Sequence, residues 1–224
     1  MKNYSLYLVP GFLTDKTIYK DFLLDERLNC KVLEFIAPLD KNEPIEEYAK
    51  RMAELIGETE NIVLLGTSFG GILSIEIAKH ISVDKLILVS SVKDRSEMNP
   101  LMKISNSSKL LDFIPDVVVK KAIETGYSIG SKIVPDLKEI KSEEIGEMIH
   151  GIDGKLEKWI IKKINNWKGE NEVDDFLHLH GDKDSVFPLK NIKNFVLIKD
   201  GNHNMIMVKS QEIRDKVVGF ITKK

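Results

Sequence analysis

The sequence predicts an α/β fold: a mostly parallel sheet of about six strands with helices on both faces, and a helical lid inserted in the core. Three observations predict it. Short apolar runs alternate with helical patterns at the spacing of strand–helix units. The runs Leu64-Leu65 and Leu86-Ile87-Leu88-Val89 are continuous rather than alternating, as parallel strands covered on both faces are. From 92 to 169 no convincing strand pattern occurs, only helical ones.

Tyr4 to Val9 reads as a buried strand, ended by the loop signal Pro10-Gly11. A short helix is expected near Ile18 to Leu24 and a second strand from Lys31 to Ile36. Pro44 opens a helix to about Ile56, with Glu46 and Glu47 in the first turn, where acidic groups suit the helix dipole. Ile62 to Leu65 is the third strand, Phe69 to His80 the helix after it, and Lys85 to Ser90 the fourth strand. Helical patterns then cover Pro100 to Ile114, Asp116 to Val134, Ser142 to His150 and Gly154 to Trp167. The last carries Leu156, Ile160, Ile164 and Trp167 on one face, with Trp159 beside it. Loops of that length without a role are uncommon, so 92–169 is expected to pack as a lid over the carboxyl edge of the sheet. The core is then 1–91 and 170–224. Strands resume at Phe176 to Leu179 and Phe195 to Ile198, and Met205 to Ile221 reads as a closing helix.

Composition narrows the partners. The 224 residues carry a net charge of −2 with Lys and Glu intermixed, which argues against nucleic acid as a partner. No apolar run reaches the ~18 residues of a membrane span, and the apolar N-terminus is too short for a signal peptide. The expected location is the cytoplasm. Cys30 is the single cysteine, so no internal disulfide is possible, and it reads as structural. The histidines lack H-E-x-x-H spacing or cysteine partners, so neither a metal nor another cofactor is expected.

The chemistry begins at Gly66-Thr67-Ser68-Phe69-Gly70, a G-x-S-x-G pattern between a buried strand and a helix. A strained strand-to-helix turn of this kind lifts the serine hydroxyl off the carboxyl end of the strand. Serine needs a base to take its proton and a third group to orient that base. Of five histidines, His80 and His150 end helices, His178 lies inside a strand, and His180 ends one. His203 follows the last strand in the loop Asp200-Gly201-Asn202-His203-Asn204, at the edge where Ser68 sits, and is the best candidate base. The acid must also end a strand. Asp182 and Asp184 both lie in the loop after Phe176 to His180, and Asp94 lies beyond the fourth strand at the same edge. The residues alone leave all three open.

These motifs resemble those of the α/β-hydrolases. The likeness rests on the elbow Gly66-Thr67-Ser68-Phe69-Gly70-Gly71, on His180-Gly181-Asp182-Lys183-Asp184-Ser185-Val186-Phe187-Pro188, on Gly201-Asn202-His203, and on the order Ser, Asp, His. It covers almost the whole chain except the lid. The resemblance implies that the second aspartate of the acid loop, Asp184, is the catalytic one and that Asp182 is a turn residue. It also implies an oxyanion hole from the backbone N–H groups of Phe69 and Phe12. Pro10 stands where the family commonly has a histidine, and the family's two extra N-terminal strands have no counterpart here.

A serine triad with an oxyanion hole suits acyl transfer to water, so the expected activity is that of a carboxylesterase or thioesterase on a small-molecule acyl ester. An acyltransferase, a C–C hydrolase or a lyase on the same triad is the alternative, and a non-catalytic binding protein of the same fold is the other class. Trp159, Phe113 and Leu111 are the candidate pocket residues of the lid. Lys158, Lys162 and Lys163 would suit an acidic acyl-carrier protein, although a solvated helix face is the simpler account of them.

Overall fold

A computed structural model describes residues 4–57, 60–99, 113–133 and 153–223. Six parallel strands form one sheet: β1 (Ser5–Val9), β2 (Cys30–Val32), β3 (Ile62–Thr67), β4 (Lys85–Val89), β5 (Phe176–Gly181) and β6 (Val196–Ile198). Their order is β2-β1-β3-β4-β5-β6. The helices among the described residues are α1 (Lys20–Leu23), α2 (Ile45–Glu54), α3 (Phe69–Ala78), α4 (Asp116–Ile133), α5 (Gly154–Asn166), α6 (Met205–Val208) and α7 (Ser210–Thr222).

Strand pleating divides the core into two layers. Tyr7, Val9, Ile62, Leu64, Leu86 and Leu88 point to one face, with α2, α3 and α5 against them. Leu6, Leu8, Val63, Leu65, Ile87 and Val89 point to the other, covered by α1, α6 and α7. Alternate residues of one strand thus serve opposite layers, which is why these strands carry no polar face. Helix α3 is buried at every residue from Phe69 to Ile77, because it crosses the middle of the sheet beneath α2 and α5.

All six expected strands are present, and the extent of one strand and the continuity of one helix change. The second strand stops at Val32 rather than Ile36. It is an edge strand, and after the Leu33 N–H to Leu8 carbonyl bond the chain leaves the sheet. The Tyr48 hydroxyl then satisfies the Ile36 backbone, donating to its carbonyl and accepting from its N–H. The closing helix is split at Lys209 into α6 and α7. The helices expected over 100–114 and 142–150 lie outside the described residues, apart from the last two positions of the first. Helix α5 is no loose flap: Arg95 caps its C-terminus by donating to the carbonyls of Asn165 and Trp167, and the Trp167 indole donates to buried Glu76. No helix of the described residues is long and apolar enough to cross a membrane.

Candidate active site

Ser68 sits between β3 and α3 at φ 54°, ψ −120°, a conformation L-residues avoid at a cost of about 1–3 kcal/mol. The surroundings impose it. The Ser68 N–H donates to the Val89 carbonyl (3.0 Å), and its carbonyl accepts from the Gly71 N–H (3.0 Å) and the Ser91 hydroxyl (2.7 Å). A side chain at Gly66 would strike the Gly70 backbone, and one at Gly70 would strike the carbonyls of Val9 and Pro10. Close approach of strand, turn and neighbouring strand therefore needs glycine at both places. Behind the turn, the buried Tyr19 hydroxyl donates to the Val9 carbonyl (2.7 Å) and bonds Thr67 Oγ1 (2.8 Å), joining the ends of β1 and β3.

The three candidate residues meet at this edge. His203 Nε2 lies 3.0 Å from Ser68 Oγ, and His203 Nδ1 lies 2.9 Å from Asp184 Oδ2. A carboxylate only accepts, so Nδ1 carries the proton and Nε2 is left to accept from serine. The Val186 and Phe187 N–H groups donate to Asp184 Oδ1 at 2.9 and 2.8 Å, which fixes the carboxylate from behind. Burial alone would raise the Asp184 pKa. The facing His203 and the Phe187 amide outweigh it and hold the carboxyl below its usual range. The acid and base loops touch directly: a side chain at Gly181 would collide with the Gly201 carbonyl.

The other candidates have other partners, although His180 Nε2 lies 3.6 Å from Asp184 Oδ2. Asp182 is exposed, and Asp94 caps a short 3-10 turn by accepting from the Ser96 N–H. His80 is exposed at the end of α3, and His150 lies outside the described residues. His178 and His180 are buried in β5 and donate to the carbonyls of Ser91 (3.0 Å) and Phe187 (2.8 Å). Burial pushes the His178 pKa down to about 3 and lowers that of His180, so both stay neutral.

In front of Ser68 opens a cavity of about 360 Å³. Gly11 to Thr14, Ile18, Ser185 to Phe187, Asn204 and Ile206 line it, and α5 contributes Ile161, Ile164 and Asn165. No Lys, Arg, Asp or Glu stands among its described lining residues. Phe12 is in the wall, in a loop so close to the serine that a Cβ on Gly11 would come within 3.2 Å of the Ser68 Cβ. Phe69 opens α3 directly after Ser68. Both expected oxyanion donors thus belong to segments bordering the hydroxyl.

The lid residues require a correction. Trp159 is only 1% exposed and does not line the cavity. Its ring lies against Tyr48 (centroids 4.3 Å apart) and edge-on to Phe69, and its indole N–H donates to the Glu43 carbonyl. The physical reason is rotation around the helix: Trp159 and Ile160 face the sheet, Ile161 faces the cavity, and Ile164 borders the cavity while packing on the core. Phe113 is 85% exposed and also lies outside the cavity wall, and Leu111 falls outside the described residues. Trp159→Ala is accordingly expected to cost about 3–5 kcal/mol of stability and to leave any acyl-length preference unchanged. Thermal melting and a chain-length profile of that variant check both halves. Lys158, Lys162 and Lys163 donate to the carbonyls of Ile114, Lys41 and Asn42, so the row of cations holds neighbouring backbone.

No family model matches the chain, and no curated protein matches it. Solved structures do resemble it over nearly its whole length. MenH from S. aureus superposes with a TM-score of 0.71 at 19% identity, covering 99% of this chain and 94% of that one. A hydrolase from Oleispira antarctica gives a TM-score of 0.72 at 16% identity, covering 100% of this chain and 93% of that one. An esterase from Exiguobacterium antarcticum gives 0.70 at 17% identity, covering 99% and 93%. The chain has the α/β-hydrolase fold.

Proposed function

We propose that the protein is a serine hydrolase that cleaves carboxylic esters or thioesters of a small to medium, uncharged acyl group. The observation that carries this reading is the hydrogen-bonded run Ser68–His203–Asp184 opening on an apolar cavity. Ser68 Oγ attacks the acyl carbon while its proton passes to His203 Nε2. The negative charge gathers on the carbonyl oxygen, and the Phe12 and Phe69 N–H groups receive it in this reading. The C–O or C–S bond then breaks, and the leaving alcohol or thiol takes the proton from His203. Water repeats the sequence on the acyl-enzyme and frees the acid. The lid role proposed for this part of the chain rests on α5, which contributes Ile161, Ile164 and Asn165 to the cavity wall.

Two features of the cavity support the substrate class. Its volume lies near the lower end of the ~300–1,000 Å³ span of small-molecule sites. An anionic acyl group placed in it would lose water and find no cation among the described lining residues, which is costly. Hydrolysis of p-nitrophenyl esters from acetate to dodecanoate by purified protein tests the reading, together with Ser68 labelling by a fluorophosphonate. Turnover that peaks at short to medium chains is expected. Absence of both turnover and labelling would refute the reading.

Two further outcomes follow. Ile164→Trp shortens the cavity, so kcat/KM for medium-chain esters is expected to fall about tenfold or more relative to acetate. Activity is also expected to fall on acidification. Asp184, with its depressed pKa, stays ionised well into the acid range, so the loss comes when His203 gains a proton and can no longer accept one. A rate independent of pH down to the carboxylate range, with chemistry rate-limiting, would contradict His203 as the base.

A further inference from the structure

Strand β5 ends on a histidine that the Ser68–His203–Asp184 run does not contain. His180 is fully buried and pairs in register with Leu197 of β6, one residue before Gly181, where the acid loop leaves the sheet. Its Nε2 lies 2.8 Å from the Phe187 carbonyl. A carbonyl only accepts, so Nε2 carries the proton. Nδ1 is buried without a hydrogen-bond partner among the described residues, so the bond to Phe187 is the one that holds this ring.

Phe187 touches both the acid and the base. Its N–H donates to Asp184 Oδ1 at 2.8 Å, and its ring meets the His203 imidazole edge-on, with centroids 5.6 Å apart. With its N–H on Asp184 and its carbonyl on His180, Phe187 is tied on both sides, and the acid loop is closed back onto the strand it came from. We infer that His180 is a positioning residue of the triad: from the end of β5 it holds the Phe187 carbonyl, and through Phe187 it keeps the Asp184 carboxylate and the His203 ring facing each other.

The same N–H faces the carboxylate without binding it. His180 Nε2 lies 3.6 Å from Asp184 Oδ2, beyond hydrogen-bond range, whereas His203 Nδ1 meets that oxygen at 2.9 Å. Burial keeps His180 uncharged although the carboxylate favours its protonation. A cation in this place would form an ion pair with Asp184 and compete with His203 for Oδ2. The neutral ring holds the loop and leaves that oxygen to the base.

The inference rests on the serine-hydrolase reading and is tested with H180Q and H180L, and with H180L combined with D184N. Glutamine carries a donor nitrogen the same number of bonds from Cβ as the histidine Nε2, and leucine carries none. The readouts are kcat and KM for a p-nitrophenyl ester, the melting temperature, and the downfield proton resonance of His203 Nδ1–H. H180L is expected to lose about 30-fold in kcat with KM nearly unchanged, as misplacement of an aligned group does. H180Q is expected to stay within about fivefold of wild type and to keep the resonance, which H180L loses. In D184N the histidine already holds the wrong tautomer, so adding H180L is expected to cost no more than about threefold. If H180L is too unstable to purify, H180N, whose amide ends one bond short of the Phe187 carbonyl, carries the comparison. Wild-type kcat in the leucine or asparagine variant overturns the inference. So does an equal loss in H180Q, or a loss as large in the D184N background as in wild type, which would mark His180 as structural only. If wild-type protein turns over no ester while the resonance still follows the donor at residue 180, the hydrolase reading fails and the positioning role stands.

Discussion

Ser68→Ala is expected to bring ester turnover to background, a loss of about 10⁴–10⁶-fold in kcat, with the melting temperature nearly unchanged. The hydroxyl meets His203 at 3.0 Å, whereas the bonds that shape the turn are made by the Ser68 backbone to Val89 and Gly71 and by Ser91. Alanine bears the same Cβ, so the strained φ of 54° costs it no more than it costs serine. Steady-state kinetics beside a thermal melt separates lost chemistry from lost folding. A variant that melts like wild type and still hydrolyses esters at the wild-type rate would refute Ser68 as the nucleophile.

Asp184→Asn is expected to lower kcat by about 10⁴-fold through the histidine tautomer. Oδ1 of residue 184 accepts from the Val186 and Phe187 amides, and an asparagine oxygen keeps that place. The new NH₂ group then faces His203 Nδ1 and donates to it. Nδ1 becomes the acceptor, the proton moves to Nε2, and Ser68 faces a donor instead of a base. Asp182→Asn, at an exposed position, is expected to stay within about threefold of wild type. Comparison of kcat/KM for the two variants decides between the aspartates. A larger loss at Asp182 would overturn the assignment.

Much of this was legible because local pattern and tertiary role coincide in the α/β core. A strand buried on both faces leaves a continuous apolar run, as in Leu86-Ile87-Leu88-Val89, and the elbow leaves its two glycines. The meeting of residues 68, 184 and 203 was legible through the resemblance and through their places just beyond strand ends. The walls of the cavity were not. Helix α5 has a broad apolar face: Leu156, Trp159 and Ile160 meet the core, Ile161 meets the cavity, and Ile164 touches both. Periodicity shows that a stripe exists but not which stripe meets the sheet, and the larger Trp159 drew the wrong expectation. Val186, Phe187 and Ile206 line the cavity from loops and a short helix whose facing depends on packing.

The parts of the apolar face of α5 have different freedoms. Trp159 and Ile160 are locked by Tyr48, Phe69 and the sheet, so variation there is filtered by folding. Ile161, one residue further around, lines the cavity and belongs to neither core cluster, so it can change size with little for the core to repack, whereas Ile164 borders the cavity and also packs on the core. A lineage or a library drifting at 161 would therefore explore new substrates at nearly constant thermostability. The same number of changes at 159 and 160 would yield mostly unfolded chains, so adaptability here is a property of one side of a helix rather than of the segment as a whole.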